Sequence, residues 1–269
     1  MGGALFIATA IAYAVATALF TGALTRGTAG LKRAARWVLI AAVALHGIYL
    51  GLDSLDDGTP PMGRVHETLT GLSLGVTLAF LLASARREGM AVLGAFITPV
   101  ALFFFLGSGL GRSVEHVSDE VRSMLAPIHI GANVLGLVAF ALAFGAAVAY
   151  VIQERQLRKK TLSGLFQRLP ALDVLDRFGL RAVSVGFPLL TVGIVTGAFW
   201  AFRIHPGAPV VSTAQAFALI AWLLFAGVLL LRLAAGWRGR RAAIGTIVGF
   251  LCTAVVLVGY VFRSTGGAS

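Results

Sequence analysis

Charged residues are scarce in this chain. Asp, Glu, Lys and Arg make up 12% of its 269 residues, whereas hydrophobic residues make up 58%. In a typical soluble domain about a quarter of the residues are charged. The composition therefore excludes an ordinary soluble globular domain and indicates a protein whose apolar residues face lipid.

Cysteine is also nearly absent. The single cysteine, Cys252, lies inside an apolar run, so the chain has no internal disulfide and no Cys-x-x-Cys redox pair. We interpret Cys252 as a small packing residue.

Apolar runs long enough to cross a bilayer recur along the whole chain. They predict spans at about residues 4–24, 36–53, 65–84, 90–108, 127–151, 182–203, 213–235 and 242–262. Because backbone groups in lipid must be paired within their own segment, these spans are expected to be helices. We expect an all-α fold, a polytopic membrane helical bundle of about eight transmembrane helices, with residues 1–269 forming a single membrane domain. No basic stretch precedes the first run, which is therefore interpreted as a retained span.

Acidic residues are half as frequent as basic ones, and the basic ones are unevenly placed. Four connections, 25–36, 84–89, 152–181 and 232–241, hold 17 of the 22 Lys and Arg residues. Such an excess marks the cytoplasmic side, so both termini are predicted on the outer side of a bacterial-type cytoplasmic (inner) membrane. The net charge of +11 is thus explained without a nucleic-acid partner. The basic juxtamembrane segment 152–181 favours a surface helix on anionic lipid, with a docking site for a cytoplasmic partner as the alternative.

The five histidines all fall in the predicted outer half. His46 lies inside the second span, where an ionisable side chain usually has a function. His129 and His66 open the fifth and third spans, and His205 follows the sixth. His116 lies in a charged outer connection and is interpreted as a surface residue. Neutral imidazole is a common haem ligand, and the chain lacks the short Cys and His spacings of zinc sites, so the histidines favour haem over a bare metal.

Several stretches resemble the cytochrome c assembly family that includes the CcsA, CcmC and HemX-like proteins. Residues 175–201, LDRFGLRAVSVGFPLLTVGIVTGAFWA, are similar to that family's basic segment and following span. The matching positions are Gly186, Phe187, Pro188, Thr191, Gly193, Thr196, Gly197 and Trp200. In PPMGRVHETLTGLSL, Pro61 and Glu67 match an outer-loop pattern, while Arg64 and His66 replace its asparagine and aromatic residue.

Two further stretches extend the resemblance over nearly the whole chain. APIHIGANVLGLVAFALAF places His129 where the family has an outer haem-ligating histidine, and residues 218–250 resemble the family's last two spans. The resemblance and the positions of the histidines together predict haem b, one or two molecules, with His129, from the resemblance, and His46, from its place inside a span, as the best candidates for axial ligands of the iron. His66 and His205 come next, and Glu67 or another acceptor would orient an imidazole.

The chain also departs from the family pattern. Members that load cytochrome c carry a tryptophan-rich outer segment and a second outer histidine, whereas this chain reads RIHPGAPVVSTAQAF at that place. The HemX-like branch, which lacks the segment too, is the closer resemblance.

The expected function is haem handling in the membrane for cytochrome c biogenesis or tetrapyrrole metabolism, by haem transfer, sensing or electron delivery rather than catalysis on a diffusible substrate. Expected partners are haem, anionic lipids and other cytochrome assembly membrane proteins. Two alternatives remain open at this stage: a haem-containing membrane subunit of a quinone-linked oxidoreductase, and a cofactor-free scaffold or transporter.

Overall fold

A computed structural model describes residues 2–57, 65–110, 125–160, 164–204 and 213–266. The helices are α1 (Gly2–Arg26), α2 (Ala29–Asp57), α3 (Val65–Arg86), α4 (Gly94–Leu110), α5 (Leu125–Arg158), α6 (Gly164–Arg168), α7 (Leu172–Ile204), α8 (Thr213–Ala234) and α9 (Arg240–Gly266). A 3₁₀ helix, Glu88–Leu93, leads into α4. All regular secondary structure in the described residues is helical, which confirms the predicted fold class.

Eight of these helices are long and apolar enough to cross a membrane, as predicted. Only the five-residue α6 is too short. Large apolar side chains such as Leu82, Leu223 and Leu230 are exposed on the outside of the bundle. Lipid tails solvate such side chains without cost, so the exposed surface suits a multi-pass membrane protein.

The basic segment 152–181 differs from the expected surface helix. Its first part continues α5 to Arg158, its middle forms α6, and its last part begins α7 at Leu172. Two transmembrane helices thus extend well beyond their apolar runs. The extension follows from good helix formers such as Gln, Glu, Arg and Leu, which continue a helix into water once lipid no longer limits the composition.

The short helix α6 contacts the C-terminal end of α1 and holds it in place. Arg168 donates hydrogen bonds to the carbonyl oxygens of Leu24, at 2.9 Å, and of Thr25. These are among the last carbonyls of α1, which have no partner within the helix and carry partial negative charge. Gly27 follows with φ +74°, a left-handed conformation that glycine adopts readily after a helix.

The spans run alternately up and down, so the bundle has two distinct ends. The ends of α2, α4 and α7 and the starts of α3, α5 and α8 form what we call the histidine end. The opposite end, with the end of α5, the start of α7 and the turn between α8 and α9, is the arginine end. Helices α1 to α4 pack as one group, and α5 joins this group to α7 and α9 through contacts with α3 and α4.

Helices α5 and α7 share the most extensive contact of the described helix pairs. A side-chain carbon added at Gly136 would lie 3.3 Å from the Gly186 carbonyl oxygen, and one at Gly186 would lie 2.7 Å from the Phe140 ring. Small residues permit such close approach between membrane helices. This contact fixes α7 against the face of α5 that carries His129.

Candidate functional site

His46 lies within α2 and is fully buried. Its Nδ1 atom is 2.9 Å from the Tyr13 hydroxyl on α1, which is 3.2 Å from Thr77 Oγ1 on α3. Thr77 is also within hydrogen-bond distance of the backbone carbonyls of Ser73 and Leu74. A chain of polar groups therefore crosses three helices, and it starts at His46.

Two arrangements of protons fit this chain. In one, Thr77 donates to its own helix, Tyr13 donates to Thr77, and the Nδ1–H of His46 donates to Tyr13, which leaves the lone pair on Nε2. In the other, Thr77 donates to Tyr13 and Tyr13 donates to Nδ1, which places the proton of His46 on Nε2. Only the first arrangement lets Nε2 bind iron.

The Nε2 atom of His46 is buried and has no hydrogen-bond partner among the described residues. Leaving a buried polar atom unpaired costs about 1–3 kcal/mol, which calls for an explanation such as an additional ligand. The surroundings are tightly packed, however. The ring of Phe105, also fully buried, has its centroid 4.6 Å from that of His46, so a large planar ligand would have to displace it.

His66 opens α3 and is 5% exposed. Its Nε2 atom lies 2.8 Å from Asp53 Oδ2 on α2, while Nδ1 is buried without a partner among the described residues. Asp53 follows His46 by seven residues, about 10 Å along the helix axis. Asp53 thus serves His66 as the orienting acceptor, the role for which the sequence suggested Glu67 or another residue.

His129 lies in the first turns of α5 and faces α7. Its Nδ1 atom is 2.8 Å from the carbonyl oxygen of Gly193 and 3.3 Å from Thr196 Oγ1. Thr196 gives its proton to backbone carbonyls of α7, so it can only accept here. Nδ1 of His129 therefore carries the proton and donates it, and Nε2 keeps a lone pair.

The packing around His129 holds its ring in place. Asn133, one turn further along α5, bonds to the His129 carbonyl at 2.8 Å and has its amide nitrogen 3.3 Å from the ring Nε2. A side-chain carbon at Gly197 would lie 2.5 Å from His129 Cε1. The absence of side chains at Gly193 and Gly197 is thus what lets the imidazole and the Asn133 amide lie against α7.

The predicted histidines fall into separate places. His46 and His66 lie within the α1–α4 group, whereas all the described partners of His129 lie on α5 and α7. No contact among the described residues joins His129 to His46. The predicted ligand His205 lies outside the described residues, as does His116.

Sequence reasoning missed Tyr13, Asp53 and Asn133. Asn133 could have been found, because it follows His129 by four residues and a helix brings such residues onto one face. Tyr13 and Asp53 act only through contacts between helices, for which the sequence carries no local signal.

Within the described residues, no three His, Cys, Asp or Glu side chains converge as ligands for a metal ion. Each described histidine therefore offers one nitrogen as a ligand, without the other side chains that would complete a site for a bare metal ion. The tautomer of His129 fits haem, because a ring with Nδ1–H bound to a carbonyl has its lone pair on Nε2 as iron ligands commonly do, and the Asn133 amide at 3.3 Å would have to move for iron to bind. His129 is also only half-buried, at the start of a span.

Comparison with known proteins gives a consistent result. The family model described as cytochrome C assembly protein matches residues 62–267. The cytochrome c biogenesis protein CcsA of Synechococcus elongatus is 28% identical, and the match covers 83% of this chain and 80% of that protein. The protein of the same name from Guillardia theta is 25% identical and covers 81% of this chain.

A solved structure shares the fold. The cytochrome c haem lyase CcmF superposes with a TM-score of 0.66 over 99% of this chain, at 14% sequence identity. This chain spans about half of that one, 49% of its length. Placement in the HemX-like branch stays a prediction, since the matching relatives named here are CcsA proteins. The family model covers about three quarters of the sequence, and the chain belongs to the cytochrome c assembly protein family.

Proposed function

We propose that this protein handles haem within the membrane in support of cytochrome c biogenesis, with His129 as the principal axial ligand. The observation that carries the proposal is the orientation of His129. Its Nδ1–H is bound to the Gly193 carbonyl, so the lone pair is on Nε2, where iron would replace the Asn133 amide that now lies 3.3 Å away. Both residues lie inside the part of the chain that matches the family.

His46 would hold a second, separate ligand position. Its Nε2 has no partner in the described part of the chain, and its Nδ1 is held by Tyr13. Both His46 and Tyr13 precede residue 62, where the family match begins, so this position is supported only by the unpaired Nε2, and haem there would have to displace Phe105. His66, oriented by Asp53, is the third candidate, and His205 remains a candidate on sequence grounds.

The haem in this proposal is of the b type. Covalent attachment of haem c needs two cysteines in a Cys-x-x-Cys-His motif, and this chain has one cysteine. When bound, haem would supply a redox-active iron. The Gly193 carbonyl or the Tyr13 hydroxyl would accept a hydrogen bond from one nitrogen of the histidine, and the other nitrogen would bind the iron. The apolar helices would enclose the porphyrin.

We propose that the histidine end faces outward, because 17 of the 22 Lys and Arg residues lie in connections at the other end. Haem at His129 would then lie close to the outer surface of the inner membrane, where cytochrome c is assembled. Other membrane proteins of cytochrome assembly would receive or deliver it.

Haem titration of the purified protein tests this proposal. We expect a Soret band after addition of haem to the wild-type protein and loss of most of that band in His129→Ala. In His129→Gly, added imidazole should restore the band, because the free ligand can enter the space that the side chain leaves.

The matched control is His116→Ala, which removes a histidine from a charged connection and should leave the band unchanged. A wild-type protein that shows no Soret band even with excess haem would overturn the proposal. So would a His129→Ala protein that binds haem with the wild-type spectrum.

A further inference from the structure

A second feature lies at the arginine end, far from the candidate haem ligands. Here a cleft of about 470 Å³ opens between the end of α5 and the turn that joins α8 to α9. Its lining residues are Tyr150, Glu154, Arg158, Gly236, Trp237, Arg238, Gly239, Arg240 and Arg241. Nothing in the haem proposal uses this cleft.

The cleft has an excess of positive charge. Four arginines line it, against one carboxylate, Glu154. That carboxylate is already engaged, since it lies 2.6 Å from Arg158 Nε and 3.7 Å from Arg240 Nε. Arg238 and Arg241 form no ion pair with any described residue and are exposed. Two guanidinium groups are therefore available for an anion, and guanidinium binds phosphate well because its N–H groups match the oxygen geometry.

The wall of the cleft is fixed by the packing beneath it. Gly236 and Gly239 have φ of +63° and +78° and shape the turn. The backbone N–H of Gly239 lies 3.4 Å from Asp176 Oδ1, and Asp176 is held by the buried guanidinium of Arg232 at 3.0 Å. A side chain at Gly239 would meet the Tyr150 hydroxyl at 2.9 Å. The cleft is thus a shaped part of the fold.

The surroundings indicate which anion fits. Trp237 is half-buried in the cleft, with the Arg241 guanidinium 5.7 Å from its ring centroid, and tryptophan is typical of the level of lipid headgroups. Directly along α8 and α9 the exposed side chains are apolar, among them Leu230, Leu233 and Ile244. A ligand with an anionic head and apolar chains would contact both surfaces, whereas a soluble anion would use only the arginines.

We infer that this cleft is a binding site for the phosphate group of an anionic phospholipid, whose acyl chains lie against α8 and α9. Basic pockets between transmembrane helices recognise anionic headgroups in this way. The site differs from the lipid contact expected from segment 152–181, because its unpaired arginines lie in the turn between α8 and α9 and in the first turn of α9.

Native mass spectrometry of the full-length protein tests the inference. The protein would be extracted from vesicles that contain equal amounts of phosphatidylglycerol and phosphatidylcholine. We expect the wild type to retain phosphatidylglycerol preferentially and Arg238→Gln/Arg241→Gln to retain about 30-fold less of it, which is the change expected from two basic residues near a membrane surface.

The matched control is Arg33→Gln/Arg36→Gln, which removes two arginines from the same end of the bundle but outside the cleft. It should retain the lipid as the wild type does. Equal losses in the two double variants would overturn the inference, because they would indicate a general charge effect. Displacement of the lipid by an equal concentration of inorganic phosphate would also overturn it, since it would assign the cleft to a soluble anion.

Discussion

Single hydrogen bonds decide what each histidine can do in this protein. An imidazole in a membrane must place its N–H on an acceptor, and the partner it finds determines which nitrogen remains for a ligand. His129 donates to a backbone carbonyl and therefore has its lone pair on Nε2, and His46 has it there when its Nδ1 donates to the Tyr13 hydroxyl. For His66 the carboxylate of Asp53 lies next to Nε2, which leaves Nδ1 instead.

Gly197→Ala should disturb the haem spectrum without removing a ligand. The added methyl group would lie 2.5 Å from His129 Cε1, so the ring must move away from α7 and lose its bond to Gly193. We expect a shifted Soret band and haem affinity reduced at least severalfold, measured by titration of the purified variant.

Gly179→Ala is the matched control, because it lies on the same helix and its added carbon meets nothing within 4 Å. It should bind haem as the wild type does. If Gly197→Ala kept the wild-type spectrum and affinity, the ring of His129 would not be positioned by α7.

The sequence reveals some of these residues and hides others. His46 and His129 are visible because an ionisable side chain in an apolar run is costly and therefore informative. Tyr13 is not, because an aromatic residue in an apolar helix is usually a packing residue, and its role depends on α2 and α3 lying beside it.

At the scale of helices, the pair α5 and α7 supports the His129 site. Gly186→Ala would place a carbon 2.7 Å from the Phe140 ring and 3.1 Å from the Gly136 carbonyl oxygen. Overpacking of this kind costs typically about 1–3 kcal/mol, so we expect a lower midpoint of thermal unfolding in detergent. Gly179→Ala again serves as the control, and equal midpoints for the two variants would contradict the close approach of the helices.

A buried ion pair joins α7 to α8 at the arginine end. The side chains of Arg232 and Asp176 are 7% and 16% exposed and 3.0 Å apart. Removing one partner leaves the other charge buried and unpaired, which costs about 3–5 kcal/mol. We therefore expect Arg232→Gln to lower the unfolding midpoint strongly.

Arg177→Gln is a suitable comparison for that prediction. Arg177 pairs with Asp173 on the exposed surface of α7, with 58% and 67% of the side chains exposed. Pairs of this kind contribute about 0.3–0.5 kcal/mol, so its midpoint should barely change. A similar small change in Arg232→Gln would mean that the buried pair does not hold α7 to α8.

Helix positions were largely predictable from the sequence, but helix ends were not. The apolar runs mark the membrane-crossing part of each helix, because lipid restricts that part to apolar residues. Beyond it, the good helix formers in residues 152–181 permit a helix but do not mark where α5 ends, at Arg158, or where α7 starts, at Leu172.

At the scale of the whole molecule, the distribution of charge predicts the orientation in the membrane. In a Cys252→Ala background, Leu55→Cys reports the histidine end and Lys160→Cys the arginine end. In intact spheroplasts a membrane-impermeant maleimide should label Leu55→Cys, and it should label Lys160→Cys only after permeabilisation. The reverse pattern would place the candidate haem ligands on the cytoplasmic side.

The placement of His46 and His129 in different helix groups has a measurable consequence for haem binding. His46 lies in the α1–α4 group and His129 between α5 and α7, so the two histidines should act as ligands of separate sites and not as a pair on one iron. Family membership, by contrast, rests on residues 62–267 and includes only His129 of these two.

The ratio of haem to protein in purified wild type, His46→Ala, His129→Ala and the double variant tests the central claim most directly. We predict that each single variant loses only part of the haem, His129→Ala the larger part, and that the double variant loses all of it. Wild-type haem content in the double variant, or complete loss in both single variants, would contradict two separate histidine sites.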